Sequence, residues 1–256
     1  MRILLTNDDG IDAEGLRALR RACLNAGHRI WVVAPDRERS GSGHAITLNS
    51  PLYVDEVDFA DGGPIGYAVS GTPADCAKLG IRAICDEPPE LVLSGINRGP
   101  NLGTDVFYSG TVSAAIEAVI LGVPAIALSL AGYDDLDYSY AADYALRLAA
   151  LVEERGVPEH ALLNVNFPAV DGRRILGTAV TRLGERRYQN VFERRLDADA
   201  RAYYCLLEES LEHRDEPATD VWAIGRNMVS LTPVHIDLTN HGLIQTLVPW
   251  ARELSR

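Results

Sequence analysis

The sequence predicts an α/β protein: a parallel sheet with helices on both faces, followed by a β-rich C-terminal extension. Three observations carry this. Continuous apolar runs such as Ile30-Trp31-Val32-Val33-Ala34 suit strands buried on both faces. Between them lie stretches whose apolar residues recur at helical spacing. The two kinds alternate regularly as far as Pro168 and then stop doing so, which separates a doubly covered sheet from whatever follows.

Ile3 to Thr6 is the first apolar run, and Gly10 marks the turn after it. From Asp12, read as an N-cap, Leu16, Leu19, Ala22, Cys23 and Ala26 follow at helical spacing, with Gly27 placed as a C′ glycine. The run from Ile30 to Ala34 is the second strand. Alternation in 47–58 suggests a β-hairpin insertion. Strand 67–69, helix 73–85, strand 91–93, helix 111–121, strand 125–130, helix 140–154 and strand 162–166 continue the pattern. Beyond Pro168, 174–183 and 200–208 read as longer strands, while 186–199 is charged and poorly patterned. Trp222 to Leu231 reads as a strand, Thr232-Pro233 as its stop, and 241–254 as an amphipathic helix whose stripe Leu243, Leu247, Trp250 suits an interface or a core face. The expected organisation is one domain over 1–256, with a core in 1–169 and an oligomerisation arm in 170–256.

Composition narrows the function. With 24 basic and 36 acidic residues the net charge is −12, and Lys78 is the sole lysine. Phosphate neutralisation along a nucleic-acid polymer needs basic patches, so such a partner is not expected. An acidic protein that handles phosphate must take positive charge from a metal ion or from helix N-termini. Cys23, Cys76, Cys85 and Cys205 have apolar neighbours and no C-x-x-C spacing, which predicts reduced, buried thiols. No apolar run approaches the roughly 20 residues of a membrane span. No basic segment followed by an apolar one opens the chain, so a cytoplasmic protein without membrane contact is expected.

The chemistry concentrates in three loops. Asn7-Asp8-Asp9-Gly10 follows the first strand, at the end where α/β sheets bind ligands. Two adjacent carboxylates there repel unless a cation lies beside them. The ordinary alternative is an Asx turn or helix cap, which Asp12 weakens by being the better placed cap. The second loop, Asp36 to His44, carries Arg37, Arg39, Ser40 and His44, and its glycines do not form a dinucleotide fingerprint. Arg37 and Arg39 suit either phosphate recruitment or pairing with Asp36 and Glu38. His44 suits either a substrate contact or plain solvation. The third stretch, Ser94-Gly95-Ile96-Asn97-Arg98-Gly99-Pro100-Asn101 running on to Tyr108-Ser109-Gly110-Thr111, follows a strand and opens a helix. Backbone N–H groups there form an anion site suited to phosphate. Oxygen ligands from Asp8, Asp9, a serine and an asparagine suit Mg²⁺ or Mn²⁺ rather than zinc.

Asn7-Asp8-Asp9-Gly10, Ala34-Pro35-Asp36-Arg37-x-Arg39-Ser40-Gly41, Gly71-Thr72-Pro73-x-Asp75-Cys76, Ser94-Gly95-Ile96-Asn97-x-Gly99-x-Asn101 and Tyr108-Ser109-Gly110-Thr111-Val112 together resemble the signature blocks of the SurE (survival protein E) family. Thr232-Pro233-x-His235-x-Asp237-Leu238-Thr239 resembles that family too. The resemblance implies a Rossmann-like core and a 5′-nucleotidase acting on nucleoside monophosphates, with 3′-monophosphates and short polyphosphates as further candidate substrates. It also implies one divalent metal per subunit on Asp8, Asp9, Ser40 and Asn97, and a homodimer or homotetramer that exchanges C-terminal elements. The expected mechanism is hydrolysis by a metal-activated water, with Asp8, Asp9 and Asn97 as catalytic residues. Asn101, Ser109, Gly110 and Thr111 would bind the phosphate. Two other readings stand beside it: a non-catalytic nucleotide or anion sensor, and a haloacid-dehalogenase-type phosphatase with an aspartate nucleophile, which wants Asp-x-Asp and a downstream lysine.

Overall fold

The computed structural model describes residues 1–213 and 215–255. In chain order the elements are β1 (Arg2–Thr6), α1 (Glu14–Asn25), β2 (Arg29–Pro35), β3 (Val54–Val57), β4 (Gly66–Val69), α2 (Pro73–Leu79), β5 (Leu91–Arg98), α3 (Gly110–Ile120), β6 (Ala125–Ala131), α4 (Ser139–Arg155), β7 (Ala161–Pro168), β8 (Thr178–Val180), β9 (Arg186–Leu196), β10 (Ala202–His213), α5 (Asp220–Ile224), β11 (Val229–His235) and α6 (His241–Leu254). One sheet has the order β3-β4-β2-β1-β5-β6-β7-β11-β8. From β4 to β7 every neighbouring pair is parallel. β3 and β11 join the two ends antiparallel, and β8 runs parallel to β11. The chain builds outward from β1 in both directions, so the strand order reverses between β1 and β5. The crevice outside their carboxyl ends is where such sheets bind ligands.

Alternation along the strands feeds two cores. Ile3 and Leu5 of β1 pack with Leu16, Leu19 and Cys23 of α1 and with Ala145 and Ala149 of α4. Leu4 points the other way, into a cluster with Cys76 of α2 and Val112, Ala115 and Ala118 of α3. α1 ends as expected: Gly27 takes φ 76°, its N–H donates to Leu24 O at 2.9 Å, and His28 N–H reaches back to Cys23 O at 3.0 Å. Its start differs from expectation. Ala13 is the N-cap and Asp12 lies one residue too early, its carboxylate pairing with Arg17 at 2.5 Å.

Other expectations are corrected as well. The hairpin proposed within 47–58 reduces to β3, which pairs with β4 instead. Residues ahead of it are held by side chains, Thr47 on Asp75 and Tyr53 on Ser70. The strand expected over 174–183 is only the three residues of β8. Trp222 lies in α5, started by the Thr219 side chain accepting from Trp222 N–H at 3.2 Å. β11 then runs through Thr232-Pro233 rather than stopping there. Pro233 is tolerated because the pairing with β8 ends at Leu231, leaving an open edge at the proline. The charged 186–199 segment contains β9, which pairs with β10 in a separate two-stranded ribbon. Phe192, Leu196 and Tyr204 stay exposed on one face of it, so burial of that face imposed no period-2 pattern on the sequence. No residue of α6 is buried, which excludes the core-face reading of Leu243, Leu247 and Trp250 within this chain. Of the thiols, Cys23 and Cys76 are buried while Cys85 and Cys205 are half-buried. No helix among the described residues is long and apolar enough to cross a membrane.

Candidate active site

β1 delivers Asn7-Asp8-Asp9-Gly10 into the crevice. Asn7 braces the turn by donating its amide to Gly10 O at 2.8 Å and accepting Gly10 N–H at 3.2 Å. Gly10 takes φ 103°, and a Cβ there would stand 3.1 Å from the Arg37 carbonyl carbon, so the first loop lies directly on the second. Arg39 N–H donates to Asp8 O at 2.8 Å, and Arg98 N–H at the end of β5 donates to Asp9 Oδ2 at 3.0 Å. These two bonds fasten the loop after β2 and the end of β5 to the two aspartates that follow β1.

A fourth segment arrives with α3. Ser109 caps the helix, its hydroxyl accepting Val112 N–H at 3.1 Å. Thr111 donates its hydroxyl to Asp8 Oδ1. Gly110 packs so closely that a Cβ would lie 2.7 Å from Asp8 Cβ. Burial pushes the Asp8 carboxyl up, against the lowering pull of the Thr111 hydroxyl and of the Thr111 and Gly110 backbone. The Asp9 carboxyl is pushed up to about 6, first by burial and then by the charge of Asp8, with Arg98 N–H opposing. Among the described residues neither carboxylate has an ion-pairing Lys, Arg or His. Two neighbouring acids, one buried and one half-buried, with the Arg98 charge acting on Asp9 but no ion pair to either among the described residues, have electrostatics that a cation would relieve.

Asn97 commits its Nδ2 to Gly99 O at 3.0 Å, which leaves Oδ1 as the atom free to ligate. Ser40 is exposed, and its hydroxyl donates to Glu38 Oε1 at 2.6 Å. The residues expected as ligands would offer two carboxylates and two neutral oxygens, chemistry that fits a hard divalent cation. Among the described residues no group of three or more His, Cys, Asp or Glu that could hold a metal occurs. Glu38, read from sequence only as an ion-pair partner for arginine, faces this site and adds to the upward push on Asp9. With Asp9, Asp12, Glu14, Arg98 and Tyr138 it lines an adjoining pocket of about 300 Å³.

Asn101 sits deeper than its sequence neighbours suggest. Its N–H donates to Asn166 Oδ1 at 2.8 Å and its Nδ2 to Ser129 Oγ at 2.8 Å, while its carbonyl accepts from Asn164 and Asn166. Buried Asp220 holds the next turn, accepting Gly103 N–H at 2.7 Å and Gly184 N–H at 2.8 Å. The sequence reading missed Asn7, Asn164, Asn166 and Asp220. The signal for Asn164 and Asn166 was two amides spaced by two in an otherwise apolar strand. Arg37 and Arg39 pair with Asp36 at 3.3 and 3.0 Å, the ordinary alternative. His44 is not simply solvated: it meets buried Glu117 at 3.0 Å, and Lys78 meets the same carboxylate at 3.0 Å.

The family model for survival protein SurE matches residues 3–190, most of the chain and every loop just described. The chain belongs to the SurE family. Among its relatives, the 5′-nucleotidase SurE of Pelotomaculum thermopropionicum is 52% identical over 248 residues, covering 96% of this chain and 94% of that one. The 5′-nucleotidase SurE of Moorella thermoacetica is 51% identical over 250 residues, covering 98% and 96%. The crystal structure of SurE from Aquifex aeolicus is 41% identical, covers 98% of this chain and 100% of its own, and superposes with a TM-score of 0.84. The SurE relatives thus extend past residue 190, through the ribbon and β11.

Proposed function

We propose that this SurE-family chain is a 5′-nucleotidase that hydrolyses nucleoside 5′-monophosphates to nucleoside and phosphate. The observation that carries the reading is the meeting of the Asp8–Asp9 pair with the N-terminus of α3 at the β1–β5 switch point. Asp8, Asp9, Ser40 and Asn97 would hold one divalent cation per subunit, Mg²⁺ or Mn²⁺. When bound, such an ion neutralises phosphoryl charge and activates a water for attack. Ser109, Gly110 and Thr111 offer hydroxyl and N–H groups to the phosphoryl oxygens. Asn101 supports them through the loop it anchors. Asp9 and Asp8 orient the centre, and the Asn7 brace and the Arg98 and Thr111 bonds keep both carboxylates in place. The open alternatives are a sensor that binds without turnover and an aspartyl-phosphate enzyme. Against the second, Lys78 is engaged by Glu117. Exposed apolar residues of α6 and of the β9–β10 ribbon support a homodimer or homotetramer with 170–256 as the assembly arm and 1–169 as the catalytic core. A cytoplasmic location completes the reading.

Phosphate release from a panel of nucleoside 5′-monophosphates with Mn²⁺, Mg²⁺ or EDTA tests it. Turnover that needs the metal is expected. Tight binding without turnover under every metal would favour the sensor, and a trapped aspartyl-phosphate would favour the covalent phosphatase.

A further inference from the structure

The loop that carries Ser40 belongs to no strand or helix, yet a candidate ligand must be held within a fraction of an ångström. Its moorings are specific. At the front, Arg39 N–H is tied to Asp8 O. At the rear, Gly43 N–H donates to Tyr108 O at 3.1 Å, Thr72 Oγ1 donates to Ala45 O at 2.7 Å, and Thr47 donates both N–H and hydroxyl to Asp75 at 2.8 and 2.7 Å. Between them His44 rests on Glu117. Asp75 and Glu117 are 3% and 4% exposed.

Neither carboxylate touches the reacting centre, and each is in costly surroundings. Glu117 is a buried charge on α3, a helix whose other buried residues include Val112, Ala114, Ala115 and Ala118. Asp75 already completes the α2 capping box with Thr72, and the Thr47 bonds are additional to that duty. We propose that Asp75 and Glu117 are positioning residues that hold the Ser40 loop against the α3 N-terminus, Asp75 through Thr47 and Glu117 through His44. This gives a further role to the Gly71-Thr72-Pro73-x-Asp75 block, whose Pro73 also packs at Gly110 beside Asp8. The inference rests on the reading that Ser40 helps hold the cation.

The two partners of Glu117 make it testable. Removing Lys78 leaves His44 and the loop in place. Removing His44 leaves Glu117 neutralised by Lys78 but frees the loop. In the full-length protein, Mn²⁺ binding is measured by calorimetry, alongside kcat and KM for a nucleoside 5′-monophosphate and the melting temperature. His44→Ala is expected to weaken Mn²⁺ binding about tenfold, the usual cost of losing a support behind a metal ligand, with Tm within about 3 °C of wild type. His44→Gln should recover most of the loss, because its amide can still donate to Glu117. Thr47→Val, which spares the capping box, should weaken Mn²⁺ binding severalfold, and Lys78→Met less than twofold (about 0.4 kcal/mol). His44→Ala with wild-type Mn²⁺ affinity and kcat/KM would overturn the inference, as would Lys78→Met weakening Mn²⁺ binding as much as His44→Ala. Wild-type protein that binds no Mn²⁺ would overturn the metal reading itself.

Discussion

Gly110 tests the junction between Asp8 and α3 most directly. Inside a helix, Gly→Ala is ordinarily favourable by up to about 1 kcal/mol. Here the new methyl would stand 2.7 Å from Asp8 Cβ, 2.8 Å from Asp8 Oδ2 and 2.9 Å from Pro73 Cγ. Real Cβ atoms do not approach this closely, and overpacking of this kind costs about 1–3 kcal/mol. The net change in stability then lies between nothing and about 2 kcal/mol, or up to roughly 8 °C in Tm for a chain of this size. The effect on turnover is larger, because Asp8 is the group that must yield. A displaced carboxylate loses the Thr111 bond and its alignment, and misplacement of about an ångström costs on the order of 10²-fold, near 2.7 kcal/mol. Gly110→Ala is therefore expected to stay folded, with Tm lowered by no more than about 8 °C, while kcat/KM falls about a hundredfold, read by phosphate release with Mn²⁺. Gly27→Ala serves as the control: φ is 76° and nothing lies within 4 Å, so it should lose about 1 kcal/mol of stability and no activity. A folded Gly110→Ala protein with kcat/KM within threefold of wild type would refute the reasoning.

Asp8→Asn keeps the shape of the side chain and removes its charge, so metal-dependent turnover should vanish while circular dichroism and Tm stay native; near wild-type turnover would dismiss the assigned role. For Asp75, burial alone would raise the carboxyl, but donors from Thr47 and Thr72 outweigh it and hold it below its ordinary value. A lowered native pKa gives stability that is present above the unfolded-state value near 3.8 and is lost as pH falls through the native one. Acid unfolding of Asp75→Asn should lack that limb, and an unchanged acid profile would count against it. Burial pushes the Cys23 and Cys85 thiols up to about 12 and Cys76 higher than its usual range, so iodoacetamide at pH 8 should leave all three unlabelled in the native protein, as judged by peptide mass spectrometry. Replacing Leu247 and Trp250 of α6 by Glu should shift the mass found by light scattering toward the monomer, an interface loss of about 100-fold or more in Kd; an unchanged mass would remove α6 from the assembly.

What the sequence disclosed depended on burial. Doubly buried strands such as β2 and β6 leave continuous apolar runs, and helices with one core face leave a period, so the order of elements to Pro168 was legible. The ribbon β9–β10 leaves Phe192, Leu196 and Tyr204 exposed, so burial of that face enforces no alternation, and β11 shows Thr232-Pro233 as a stop because a sequence cannot say where its neighbour β8 ends. At the site, Asp8, Asp9, Asn97 and Ser109 to Thr111 stood out as candidates because paired strand-end carboxylates and a Gly-rich helix start suit a cation and an anion. Asn164, Asn166 and Asp220 reach the site only through tertiary bonds to Asn101 and Gly103, from strands and helices far along the chain. The same limit hid Glu117, one acid among 36, whose partners come from α2 and the Ser40 loop.

The charge balance ties these pieces together. A chain at −12 repels phosphate in general, and the α3 N-terminus is its obvious local remedy. Yet the Gly110 and Thr111 backbone and the Thr111 hydroxyl act on the Asp8 carboxyl. A phosphoryl oxygen reaching those same N–H groups stands beside Asp8, with Asp9 and Glu38 close by. Two unit charges about 4 Å apart in surroundings of effective dielectric near 20 repel by about 4 kcal/mol. The helix end returns only about 0.3–1 kcal/mol for a charge at an exposed terminus and about 2 in a partly buried one. The dipole alone therefore loses against ionised carboxylates, and a cation between them would let phosphate and aspartate share this corner favourably. On that arithmetic the proposed metal ligands and phosphate donors would form one site, and the acids that seem misplaced beside an anion would be what makes the anion bind.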